Sequence, residues 1–197
     1  MVSSIFLSST RMSKSIVIID DRPNRPSLHL PEDAIRQLHS LPNVRFASSI
    51  GDLDLKQFDV IAIHRSYVVR AKLFNELDKL IKDYSKYLIL FSGGVSQQTI
   101  SERGHKATIG SEVFYSSNLI PFCQDIQETE SIQLYKLLYG INSWELPILM
   151  RLRQLYWMDP EEENGDVEDE REDIEDTLGI SSYDELNNRI AQLARTV

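Results

Sequence analysis

The chain reads as an α/β protein: a parallel sheet buried between helices, followed by a helical extension. Three observations predict this. The first is the run VIAI at 60–63, mostly β-branched and halted by His64 and Arg65, the pattern of a strand covered on both faces. The second is a pair of similar runs, SIVII at 15–19 and YLILF at 87–91. The third is the stripe Leu73, Phe74, Leu77, Leu80, Ile81 and Tyr84, spaced i, i+3, i+4 as in a helix lying on a sheet. Strands that alternate with amphipathic helices build right-handed crossovers, and hence parallel pairing.

The elements follow in order. Strand 15–19 ends in Asp20 and Asp21, and Pro23 and Pro26 then enforce a loop. A helix is predicted over 32–41, with Ala34, Ile35, Leu38 and Leu41 on one face and Glu32 and Asp33 at the positive end of its dipole. Val44 and Phe46 alternate as a half-buried strand within 43–48, and 51–57 is a connection or a single turn. After the central strand a helix spans 71–84, and strand 87–91 runs into Ser92, Gly93 and Gly94. Residues 95–109 are polar and read as a loop. EVFY at 112–115, with LIPF at 119–122, supplies the last strand, and Pro121 places it at an edge. A helix over 131–139 ends at Gly140. These elements make a five-stranded parallel sheet, for which the flavodoxin-like order 2-1-3-4-5 is the common small solution.

A chain of 197 residues, 42% of them hydrophobic, buries one main core and leaves length for an appendage. Residues 1–14 carry only Ile5, Phe6 and Leu7 as an apolar run, too short for a signal peptide or membrane span. They read as a disordered lead-in, in which Met12 offers a second start. The single cysteine, Cys123, excludes an internal disulfide framework and suits a reducing, cytoplasmic setting. Between Asp159 and Asp176 stand twelve of the chain's 30 acidic residues and one of its 21 basic ones. The domain at 15–140 is thus near neutral, and no basic, aromatic-interleaved patch predicts nucleic-acid binding.

Beyond the domain, 141–158 is an apolar helical segment, 159–179 an acidic linker and 180–197 a C-terminal helix that Ser181 or Ser182 can cap. Trp144, Leu152, Leu155, Tyr156 and Trp157, with Leu186, Ile190 and Leu193, form the expected interface with a protein partner or a second copy.

In an open α/β sheet the site lies beyond the carboxyl ends of the strands. SIVIIDD, FDVIAIH and YLILFSG resemble strands one, three and four of response-regulator receiver domains over about 15–140. In that family an acidic pair and a third aspartate hold Mg²⁺, and the third accepts a phosphoryl group. The resemblance places Asp20 and Asp21 as the pair, His64 at the acceptor position with Arg65 beside it, and Ser92 as the hydroxyl closing strand four. The family's lysine has no counterpart in VFYSSNLIPF. An imidazole forms no acyl phosphate and is a poor Mg²⁺ ligand. The resemblance therefore implies a degenerate pseudo-receiver that needs no cofactor, acting in signalling or defence assemblies through protein contacts.

Two other functions compete. Ser92, Gly93, Gly94 and Ser96 are similar to the SGGxDS loop of PP-loop ATP pyrophosphatases, which with Asp20 and Asp21 would make a nucleotide- or metal-dependent enzyme. Alternatively, the acidic tract covers a basic surface of an inhibited partner.

Overall fold

The computed structural model describes residues 13–158 and 166–195. Among these, six strands form one sheet: β1 (Ile16–Ile19), β2 (Val44–Ala47), β3 (Val60–His64), β4 (Tyr87–Ser92), β5 (Thr99–Ser101) and β6 (Lys106–Gly110). Their order is β2-β1-β3-β4-β6-β5, and every pairing is parallel except β5 with β6. The parallel part therefore has the expected order, with β6 as its fifth member. The correction is a sixth, antiparallel edge strand.

The helices are α1 (Glu32–Ser40), α2 (Arg65–Ala71), α3 (Phe74–Tyr84), α4 (Ser111–Phe114), α5 (Leu119–Glu128), α6 (Tyr135–Tyr139), α7 (Glu145–Leu155), α8 (Asp166–Leu178) and α9 (Tyr183–Leu193). The helix expected over 71–84 is α3, and a further helix, α2, precedes it directly after β3. Lys72 adopts a left-handed conformation, φ 57°, and its amide closes α2 on the Val68 and Val69 carbonyls. A second helix then starts along the same face of the sheet.

The last strand was expected in the wrong place, and the reason is physical. Lys106–Gly110 follows Gly104 and ends in a glycine, yet its Ala107 and Ile109 alternate into the core. EVFY turns instead into the helical turn α4, which brings Phe114 beneath the sheet to stack on Phe91 at 4.2 Å. Pro121 is the third residue of α5, where the missing N–H has no intrahelical partner to lose.

Strand alternation divides the core in two. Ile16, Ile18, Val60, Ala62, Ile89 and Phe91 face one side with residues of α1 and α5, while Val17, Ile19, Ile61, Ile63, Leu88 and Leu90 face the other with residues of α2 and α3. A third cluster belongs to the extension: Ile148, Leu149, Leu152 and Leu155 of α7 pack with Val167, Ile174 and Leu178 of α8 and Leu186 of α9. Ile100 of β5 and Leu138 of α6 touch both this cluster and the sheet core. Part of the expected acidic linker, 159–165, lies outside the described residues. From Asp166 the tract is helical, because Val167, Ile174 and Leu178 give it an apolar stripe to bury.

Candidate strand-end site

Ile19 of β1 pairs with Ile63 of β3, so Asp20 and His64 leave the sheet side by side at its carboxyl edge. This is where the chain passes from one half of the sheet to the other. Both side chains are nearly buried, at 6% and 8% exposure.

A charge in this setting needs partners, and each carboxylate has them. Asp20 Oδ2 accepts the Tyr115 hydroxyl at 2.9 Å, and Oδ1 accepts the Arg22 amide at 3.0 Å. Arg25 Nη1 stands 2.8 Å from the same Oδ1, an ion pair without hydrogen-bond alignment. Arg25 Nη2 lies 3.6 Å from Asp21 Oδ1, and Asp21 Oδ2 is paired with Arg70 on the second turn of α2. Arg25 reaches this place because the turn closed by its amide on the Arg22 carbonyl, and the short 3₁₀ turn Pro26–Leu28 after it, fold the loop over the strand ends. Its 7% exposure makes it a guanidinium held within the edge of the sheet.

These partners set the protonation states. Burial raises the Asp21 pKa, but the hydrogen bond and charge of Arg70, then His64 and Arg25, outweigh it and hold the carboxyl below the ordinary value. Burial, with the charge of Arg25, lowers His64, against smaller opposing effects of Asp20 and Asp21. His64 Nδ1 bonds Ser66 Oγ at 2.7 Å and lies 4.0 Å from Asp21 Oδ1. Burial, followed by the negative charge of Asp20, raises the Tyr115 phenol, which stays a donor.

A Mg²⁺ ion wants several oxygen ligands in octahedral array. Here Asp20 is engaged through both oxygens, Arg25 brings positive charge against both carboxylates, and imidazole stands where a third carboxylate would be. The residues do not fit the ion. Among the described residues no group of three or more His, Cys, Asp or Glu could hold a metal.

The structure brings Asp20, Asp21 and His64 together at the strand ends. Arg65 is exposed and pairs with no carboxylate among the described residues. Arg25, Arg70 and Tyr115 were missed. For Arg25 the signal was faint: an arginine directly before Pro26, four residues after Asp21. After the true last parallel strand comes Ser111, so that strand end also carries no lysine; Ser111 Oγ is buried without a hydrogen bond.

The Ser92 loop does not cradle a phosphate in the expected way. Ser92 Oγ accepts the Gly94 amide at 3.2 Å, Ser96 is exposed, and the chain continues into β5 and not into a helix. Cys123 is buried, and burial pushes its thiol up to about 12.

In the extension, Leu152, Leu155 and Leu186 are at most 1% exposed, which corrects their assignment to a partner surface. Trp144, Tyr156, Ile190 and Leu193 pack partly buried around the same cluster, while Trp157 is 76% exposed. The acids of α8 are partly engaged at home. Glu170 takes a two-pronged pair from Arg151 at 2.8 and 2.6 Å, and Asp176 pairs with Arg103 at 3.1 Å.

Among the described residues no helix is long and apolar enough to cross a membrane. No family model, curated protein or solved structure matches this chain.

Proposed function

We propose that the protein is a non-catalytic signalling or regulatory module, a receiver-like domain that works through protein contacts and not phosphoryl transfer. The observation that carries this reading is the Arg25 guanidinium, 2.8 Å from Asp20 and 3.6 Å from Asp21. It supplies, from within the chain, the positive charge that two adjacent carboxylates require. With His64 at the acceptor position there is also no carboxylate to take a phosphoryl group.

The surface for a protein partner is the outer side of α7 and its end. Leu146 and Met150, four apart on one side of α7, and Trp157 just beyond its end are 40%, 47% and 76% exposed. An aliphatic, a methionine and a tryptophan left in water together are the composition of a binding patch.

The test is an NMR titration with beryllofluoride and Mg²⁺, paired with intact mass after acetyl phosphate. No saturable shift near Asp20 or His64 and no 80 Da adduct, about one phosphoryl group, are expected for a carboxylate pair already neutralised. Either signal would return the protein to the phosphorylated class.

A further inference from the structure

We propose that the cleft beside the carboxyl ends of β1 and β2 binds a small planar aromatic carboxylate. This inference uses neither Asp21 nor His64, but it rests, like the regulatory reading, on the pairing of Arg25 with Asp20. The cleft holds about 180 Å³, against the roughly 150 Å³ of a cavity that takes up benzene. One six-membered ring with a short substituent therefore fills it.

Pro23, Pro26, Phe46 and Tyr115 line the cleft. The prolines have fixed φ, and Tyr115 is fully buried and anchored by its bond to Asp20. An apolar slot of this kind is preformed and needs no ordering on binding. His39, which also borders the cleft, lies with its ring 4.2 Å from that of Phe46 and extends the aromatic wall.

Charge selects the polar end of the ligand. Asp20 borders the cleft but offers no free negative charge, because Arg25, the Tyr115 hydroxyl and the Arg22 amide already engage it. What remains is Arg22, an exposed residue that lines the cleft and whose guanidinium meets no carboxylate among the described residues. A guanidinium fork matches a carboxylate by two parallel hydrogen bonds. A neutral ring gains the walls alone, and a cationic ring meets Arg22 unfavourably.

The test is a titration of the full chain, followed by amide NMR, with benzoate, benzamide, benzamidine and acetate. Benzoate is expected to saturate with shifts at Arg22, Phe46, Ser48 and Tyr115, at least tenfold more tightly than benzamide or benzamidine, while acetate does not saturate. Arg22→Gln should bring benzoate down to the level of benzamide and leave benzamide unchanged. Ser48→Trp, an exposed position on the cleft, should abolish both; if that variant fails to fold, Arg22→Gln alone decides. No saturable benzoate shift in the cleft, equal affinity for benzamidine, or benzoate affinity unchanged in Arg22→Gln would each overturn the proposal.

Discussion

Arg25 concentrates the chemistry of this protein in one side chain. A buried ion pair need not stabilise a fold relative to a well-packed apolar substitute, but removing one partner leaves an uncompensated charge. Arg25→Ala should therefore cost about 3–5 kcal/mol in urea unfolding, whereas Arg65→Ala, at an exposed position without a carboxylate partner among the described residues, should stay within about 0.5 kcal/mol. Equal effects would mean that Arg25 is not the neutralising group. Acid should expose the same cluster. His64 has a folded pKa below its unfolded value of 6.5, so its contribution is complete above that pH and is lost as pH falls from there through the lower folded value. Asp21, also lowered, adds a second loss below its unfolded value of 3.8. A stability–pH curve that falls on acidification below pH 6.5 in the wild type, and is flatter there in His64→Gln, checks the sign; rising stability would contradict it. Asp20, Asp21 and His64 were legible as a group because each ends an apolar run. Arg25 and Arg70 were not, because the return of a loop and the turn of a helix are three-dimensional facts that no local spacing records.

At the scale of elements, the buried strands were the most legible parts, since SIVII, VIAI and YLILF are continuous apolar runs with no competing period. The misreadings fell where two principles compete. KATIG has only Ala107 and Ile109 as inward residues, a weak strand signal set between glycines. Pro121 speaks against a central strand and also against a helix interior, but it is welcome in a first helical turn. The acidic tract looked too charged to order, and its stripe of Val167, Ile174 and Leu178 was outvoted by its composition. That stripe has a measurable consequence. Leu152, fully buried between α7 and its neighbours, should cost 2–5 kcal/mol as Leu152→Ala, about the usual value for a core leucine. At the start of α9 the Ser182 hydroxyl accepts the Glu185 amide at 3.2 Å, while Glu185 reaches back to the Ser181 amide at 3.0 Å. Ser182→Ala should cost about 1 kcal/mol in the same assay, and no loss would mean that α9 is not held in the folded unit.

At the scale of the whole molecule, a doubly covered sheet whose strand-end carboxylates pair with Arg25 and Arg70 is joined at the β5 edge to a helical extension that presents Leu146, Met150 and Trp157 to solvent. Trp157 and the half-buried Trp144 should separate in acrylamide quenching, with Trp157→Phe removing most of the quenchable emission while stability changes by less than about 0.5 kcal/mol. A quenching profile unchanged by that substitution would place Trp157 in the interior and remove the proposed contact patch. The regulatory reading itself depends on whether a guanidinium, and not a divalent ion, holds the two aspartates. The direct measurement is amide relaxation in the presence of Mn²⁺, a paramagnetic substitute for Mg²⁺. With Arg25 in place the amides of Asp20, Asp21 and Arg22 should show no saturable broadening; strong broadening centred on them at micromolar Mn²⁺ would show that the site takes a metal and that Arg25 gives way to it.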